Sequence, residues 1–251
     1  MQKTSYDDAV DLLKKSAYTT AFTGAGISVE SGIPPFRGPE GLWSRYDPVI
    51  LDINYFQQHP EKSWSVIKEI FYDFFGKARP NTAHKVLAHM EKEGMLKNII
   101  TQNIDNLHQE AGSREVIEFH GTSHSLVCMK CHKPFKIEDI SLDTVPVRCD
   151  VCGGLIKPDF IFFGEGIPPR AYEKSLEAAQ KADVFLIIGT TGEIMPASQI
   201  PILAKENGAS LIEINTEPSN YTPTVTDIFL QGKATEVLTQ LSEQLFSSRK
   251  S

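Results

Sequence analysis

Thr23-Gly24-Ala25-Gly26-Ile27-Ser28 closes an apolar, β-rich run that starts at Thr19, and it leads into Ser31-Gly32-Ile33-Pro34-Pro35-Phe36-Arg37-Gly38. A strand that breaks into small residues lets backbone amides approach a phosphate, and the partial positive charge of a following helix start favours an anion. The segment therefore reads as a candidate nucleotide turn. Taken alone it is equally an ordinary strand end, because the spacing is not G-x-G-x-x-G.

The surrounding pattern supplies the context. Upstream, Ser5-Tyr6-Asp7-Asp8 resembles a capping box, and Val10, Leu12 and Leu13 give an apolar face to a first helix ending near Lys15. Downstream, residues 38–80 carry Trp43, Tyr46, Phe56, Trp64, Phe71 and Phe74 without strand alternation, which predicts a mainly helical insert. Asn81 caps a helix through Val86, Leu87 and Met90, and Gly94 stops it. A strand-helix rhythm follows: Asn98 to Gln102 as strand, Asn106 to Ala111 as helix, Val116 to Phe119 as strand. A cysteine-bearing segment from Ser123 to Lys157 interrupts it. The rhythm resumes with a strand over Phe160 to Phe163, a helix near Arg170 to Ala182, and the buried strand Val184-Phe185-Leu186-Ile187-Ile188. Pro196 to Asn207 reads as helix, Ser210 to Ile214 and Ile228 to Leu230 as strands, and Ala234 to Phe246 as a closing helix.

Continuous apolar strands separated by helices imply a parallel sheet covered on both faces, the doubly wound α/β class. Ligands of that class bind beyond the C-terminal strand ends, where Thr23-Gly24, Gln102-Asn103, His120-Gly121, Gly189-Thr190 and Asn215 lie.

With 251 residues, 41% of them hydrophobic and 23% charged, the chain can bury a large core. A formal charge of -7 argues against direct nucleic-acid binding and suits a lysine-bearing protein partner. No apolar run approaches the roughly 20 residues of a membrane span, and Met1-Gln2-Lys3-Thr4-Ser5 lacks the core of a signal peptide. A cytoplasmic location and no membrane association are expected.

All four cysteines fall in two pairs, Cys128-x-x-Cys131 and Cys149-x-x-Cys152, with 17 residues between them. That spacing fits a four-thiolate zinc ribbon, and four sulfurs leave no open coordination position, so the metal would be structural. Free thiols or a disulfide pair are the alternative. His132 adjoins one knuckle but adds nothing to a filled sphere.

Thr101-Gln102-Asn103-Ile104-Asp105-Asn106-Leu107-His108 places polar side chains just past a buried strand, and Glu118-Phe119-His120-Gly121 puts an imidazole at the next strand end. Asn and Asp there serve equally as caps and turn residues. An imidazole beside them at one sheet edge is suited to proton transfer near neutral pH.

These motifs, in order with Phe163-Gly164-Glu165 and Gly189-Thr190, resemble the sirtuin family of NAD-dependent protein-lysine deacylases from about Val10 to Val237. The resemblance implies a Rossmann-like domain over residues 1–37, 81–122 and 158–251, a helical insert over 38–80 and a zinc-binding insert over 123–157. It implies NAD and Zn2+ as cofactors and acyl-lysine proteins as substrates; the sequence does not reveal the oligomeric state, and a monomer is expected.

By the same resemblance Gly24, Ala25 and Gly26 hold the pyrophosphate, and Phe36 and Arg37 shape the nicotinamide side. Asn103 and Asp105 orient the nicotinamide ribose and carboxamide, Thr190, Asn215 and Glu217 meet the adenosine, and His120 is the general base. Glu30, Gln102, Ile104, Gly189, Thr191, Lys233 and Ala234 complete the implied cofactor set. Ile161, Phe163, Gly164, Glu165, Gly192 and Glu193 would hold the peptide as an added strand. The implied chemistry is attack of the acyl oxygen on the anomeric carbon as nicotinamide leaves, followed by transfer of the acyl group to ADP-ribose. His120 would deprotonate a ribose hydroxyl in a dry site.

Three segments depart from the family pattern. Pro35 stiffens the loop after the nucleotide turn. Thr191-Gly192-Glu193 replaces a more frequent Ser-Leu pattern. Ile67 and Ile70 stand where members preferring succinyl or malonyl groups carry Tyr and Arg, so acetyl or longer apolar acyl groups are expected. Mono-ADP-ribosyl transfer, NAD glycohydrolysis, or a non-catalytic NAD-sensing adaptor are the competing readings.

Overall fold

The structure, a computed structural model, describes residues 5–36, 38 and 41–247. Arg37, expected beside the nicotinamide, lies outside them. Nine strands form two sheets among the described residues: β1 (Thr19–Thr23), β2 (Asn98–Thr101), β3 (Val116–Glu118), β4 (Gly121–Cys128), β5 (Pro134–Lys136), β6 (Ile156–Phe160), β7 (Val184–Ile188), β8 (Ser210–Asn215) and β9 (Ile228–Gln231). The helices are α1 (Ser5–Lys15), α2 (Ile53–Gln58), α3 (Pro60–Ile67), α4 (Thr82–Lys92), α5 (Leu107–Glu110), α6 (Pro169–Lys181), α7 (Gln199–Glu206) and α8 (Ala234–Phe246), besides shorter 3-10 and π turns.

Six strands run parallel in the order β3-β2-β1-β7-β8-β9. With β4 to β6 set aside, this is the strand order of a doubly wound dinucleotide fold, whose direction of winding reverses between β1 and β7. The side-chain period of two explains why both faces are covered. Val184, Leu186 and Ile188 pack with Val10 and Leu13 of α1, Leu87 of α4 and Leu238 of α8, while Phe185 and Ile187 pack with Ala178 and Ala179 of α6 and Ile200 of α7.

Local chemistry fixes the helix starts. Asn81 Oδ1 accepts from the amides of Ala83 and His84 to open α4, and Glu30 accepts from the Thr235 amide and hydroxyl at the first turn of α8. Ser5, expected in a capping box, is itself helical. α7 begins at Gln199, later than Pro196, because tight turns over 194–200 come first.

The expected strand over Phe160–Phe163 is not part of the parallel sheet. β6 ends at Phe160 and pairs antiparallel with β4 in a second, three-stranded sheet of order β5-β4-β6. Its apolar character comes from a different core. Phe160 and Phe162 pack with Phe56, Trp64, Ile67, Ile70 and Phe71 of the helical segment and with Leu126 and Ile156 of the small sheet. Each buried ring of this kind contributes about 2–3 kcal/mol.

The helical and cysteine-bearing inserts thus form one lobe with one core. Trp64 Nε1 donates to Ile156 O at 2.8 Å, and the Tyr72 hydroxyl donates to Ser123 O at 3.1 Å, so polar bonds tie the same two parts together. Among the described residues no helix is long and apolar enough to cross a membrane.

Candidate active site

The turn after β1 meets the turn after β7 at the point where the winding reverses. Gly24 N donates to Ile188 O at 3.0 Å and Gly26 N to Gly189 O at 2.9 Å. A Cβ on Gly24 would stand 2.7 Å from Gly189 O, and one on Gly26 would stand 2.6 Å from Gly189 Cα. The glycines are therefore required by backbone against backbone, and both of those amides are already engaged.

Behind this turn lies a buried polar network. Asn103 Nδ2 donates to Gly24 O at 3.1 Å and to Ser28 Oγ at 3.2 Å, and Ser28 Oγ donates to Asp105 Oδ2 at 2.7 Å. His84 Nε2 sits 3.4 Å from the same Ser28 oxygen, with its Nδ1 facing the Asn81 amide. The same Nδ1 is 3.0 Å from Asn81 Oδ1, so the ring is held between Asn81 and Ser28.

Burial pushes His84 down to about 4, and burial, helped by His84 nearby, pushes His108 well below the ordinary imidazole range, so both rings are neutral. Burial also raises the Asp105 carboxyl, while hydrogen bonds from Ser28 and Leu107 pull it partly back. His108 Nε2 lies 2.9 Å from Thr23 Oγ1, which donates to Thr101 Oγ1, and Thr101 Oγ1 accepts from Asn103 N. The ends of β1 and β2 are thereby locked around Asn103.

His120 follows β3. Its Nδ1 is 3.1 Å from Gln102 O, which requires the proton on Nδ1 and leaves Nε2 as an acceptor. Gln102 is itself fixed, its amide donating to Thr23 O and its Nε2 to Thr190 Oγ1 at 3.0 Å. Burial lowers His120 and the Gln102 bond works against that shift, so the ring is a neutral base at pH 7.

On the other side of the reversal point, Asn215 Nδ2 donates to Thr190 O at 3.0 Å, while Thr191 and Glu217 are exposed. Lys233 stands at the N-cap position of α8 and Ala234 is buried behind it. The Glu30 carboxylate is taken up by Thr235. Phe36 packs on Trp43 in a tilted pair with ring centroids 5.6 Å apart, and Ile104 is buried, its carbonyl bonded to Ser123.

The peptide-side residues fall on one loop after β6. Ile161 N donates to His120 O, which ties this loop to the candidate base. Phe163 pairs by backbone with Leu51 and Ile53, and its ring, 48% exposed, faces a cleft of about 450 Å³ shared with Trp43, Pro48, Val49 and Asp52. Gly164 has a left-handed φ of 91°. Glu165 is bonded to Lys157 and Phe162 N. Across the site Gly192 lies against the Tyr221 ring and Glu193 is exposed.

The four cysteine sulfurs lie within 4.8 Å of one another, with Cys128–Cys152 at 3.5 Å and Cys131–Cys149 at 3.8 Å. A tetrahedron with metal–sulfur bonds of about 2.3 Å has edges of about 3.8 Å, so the donor set fits zinc. A Cβ on Gly154 would come within 2.9 Å of Cys128 Sγ, which shows how closely the backbone wraps the site. Cys128 ends the strand that begins at Gly121, so the metal site stands roughly 20 Å from His120 and braces the lobe without reaching the chemistry.

Ser28, His84 and Lys157 were not singled out as site residues by sequence. Ser28 lay inside the quoted turn motif and His84 three residues after a cap, whereas Lys157 carried no signal.

The fold and this site define a class: a dinucleotide-type α/β protein with a neutral histidine at the C-terminal edge of its parallel sheet and a structural four-thiolate module. The Sir2 family model matches residues 24–196, and the chain belongs to that family. It is 45% identical over 242 residues, 95% of each chain, to NAD-dependent protein deacylase 2 of Pyrobaculum aerophilum. It is similar to a Sir2 homolog solved as an NAD complex, with a TM-score of 0.90, 38% identity, and 96% of this chain and 94% of the other covered. It is also similar to a Sir2 solved with a deacetylated p53 peptide and 3'-O-acetyl ADP-ribose, with a TM-score of 0.88, 34% identity, and 94% and 97% covered.

Proposed function

We propose that this protein is an NAD-dependent protein-lysine deacylase that transfers the acyl group to ADP-ribose, acting on acetyl and longer apolar acyl groups in preference to succinyl or malonyl. The observation that carries the reading is His120: its Nδ1 proton is fixed on Gln102 O, and its backbone carbonyl holds the peptide-side loop. One imidazole therefore joins both halves of the site. Bound NAD supplies a ribosyl carbon that can accept the acyl oxygen once nicotinamide leaves.

The chain's own residues do the rest. His120 Nε2 accepts the proton of a ribose hydroxyl. Asn103, held by Gly24 O and Ser28, and Asp105, held by Ser28 and Leu107, orient the nicotinamide end. Thr190, Asn215 and Glu217 take the adenosine end, and Phe163, Gly164 and Gly192 border the peptide. The Cys128, Cys131, Cys149 and Cys152 thiolates would hold Zn2+ as a structural ion.

The acyl preference is supported by the lobe core. Ile67 and Ile70 lie among Ile33, Ile104, Phe71 and Phe162, a wall that gives a buried carboxylate no cation. The groove of about 370 Å³ that Ile70 shares with Arg45 also carries Glu69, whose carboxylate offsets the arginine, while Asp73 is taken up by Lys68. A net charge of -7 favours lysine-bearing partners, and four grouped thiols suit the reducing cytoplasm.

The test is incubation with NAD and acetyl-, octanoyl- and succinyl-lysine peptides, reading nicotinamide and peptide mass together. Nicotinamide release that depends on acetylated peptide supports the reading. Release without peptide would show a glycohydrolase, and equal turnover of the succinyl peptide would refute the acyl preference.

A further inference from the structure

Lys157 sits on β6 opposite Val127, next to the Ile156–Cys128 pair, in the middle of an apolar segment. It is only 6% exposed. Its Nζ donates to Pro158 O at 2.9 Å and Phe160 O at 2.9 Å and pairs with Glu165 Oε2 at 3.1 Å, while lying 4.6 Å from the Phe162 ring centroid. The three protons of the ammonium are therefore all used, and all by residues between 158 and 165. The partner carboxylate closes the same loop, since Glu165 Oε2 accepts from Phe162 N at 2.8 Å and Glu165 N donates to Phe162 O at 3.0 Å.

A buried ion pair is a poor way to gain stability, because an apolar side chain of similar volume would pack against Phe162 without desolvating a charge. What the pair does specify is the course of the chain. It folds the segment after β6 so that Phe163 is presented at the cleft, with its backbone held by Leu51 and Ile53.

We propose that Lys157 and Glu165 form a positioning pair that sets the edge on which the acyl-lysine peptide lies, with Glu165 acting through Lys157 and not by touching the peptide. This rests on the deacylase reading above. The dinucleotide crevice is built from the turns after β1 and β7, which the pair does not touch. Loosening the pair should therefore weaken peptide binding and leave NAD binding intact.

The test compares Lys157→Met, Lys157→Arg and Glu165→Gln with the zinc-loaded wild type. The measurements are anisotropy of a fluorescent acetyl-lysine peptide, KM for peptide and for NAD, and zinc content. Lys157→Met is expected to raise peptide Kd and KM by about tenfold or more, with NAD KM within about twofold and zinc retained, and Lys157→Arg to recover to within about threefold. An unchanged peptide Kd overturns the proposal, as do equal rises in both KM values or an arginine variant no better than methionine. Should Lys157→Met not fold, Glu165→Gln is judged by the same split between peptide and NAD. If the wild type binds peptide but does not turn it over with NAD, the deacylase reading fails, and the peptide Kd values still decide whether the pair positions the loop.

Discussion

Replacing Gly26 by alanine tests the contact that brings the two halves of the parallel sheet together. The new Cβ would stand 2.6 Å from Gly189 Cα and 2.9 Å from Gly189 O, and these are backbone atoms that cannot rotate aside. Relaxing the closest contact to the ordinary 3.4 Å requires the turns to separate by roughly 0.8 Å. Overpacking of this kind costs about 1–3 kcal/mol, which for a chain of this size lowers Tm by roughly 5 °C. The functional effect should be larger. Thr190, next to Gly189, holds Gln102, and Gln102 O holds the His120 proton, so the displacement reaches the base through two hydrogen bonds. A misplacement near 1 Å can lower kcat/KM by about 100-fold. The assay is NAD-dependent deacetylation of an acetyl-lysine peptide alongside a thermal melt, with Gly76→Ala as control, since a Cβ there meets nothing within 4 Å. A Gly26→Ala protein with kcat/KM and Tm matching the Gly76→Ala control would refute the reasoning.

His120→Ala should reduce deacetylation by about 100-fold or more without lowering Tm, and the acid limb of the wild-type kcat/KM profile should fall at a pH below the ordinary imidazole value of 6.5, because burial lowers this ring. His84 titrates near 4 when folded and near 6.5 when unfolded, so its contribution is complete above pH 6.5 and is lost as pH falls toward 4. The loss amounts to about 3 kcal/mol; urea titrations across that window should show a shallower slope in His84→Asn, and an identical slope would count against a buried neutral ring. Chelation of the four-thiolate site should red-shift emission from Trp64 as well as disorder the cysteine knuckles, since Trp64 is bonded to Ile156. Emission unchanged after complete zinc removal would contradict a shared core.

Much of the parallel sheet was legible because its signals are local. Val184–Ile188 is apolar at every position, Asn81 marks a helix start, and two Cys-x-x-Cys pairs announce their own geometry. Long-range choices were not. Ile161-Phe162-Phe163 looks like another buried strand, and periodicity cannot say that Phe162 packs under Trp64's helix or that Phe163 borrows its backbone partners from Leu51 and Ile53. Within the site, Asn103 and Asp105 were readable as polar residues just past a buried strand, while their partners Gly24 and Ser28, 75 to 79 residues away, were not. Glu30 meets Thr235 from 205 residues away, and a lone Lys157 in an apolar run resembles any surface lysine until its acceptors are seen.

The common core beneath the two inserts also bears on motion. The chain enters and leaves this body at both inserts, near Phe36 and Asn81 for one and near His120 and Pro169 for the other, so four tethers anchor it to the parallel sheet. Ile33, Ile104 and Leu107, from the turns after β1 and β2, share the same core, so the body is packed against the parallel sheet as well as tethered to it. Any displacement of α2 is therefore felt at once by the thiolate knuckles and by the turns that border the dinucleotide crevice.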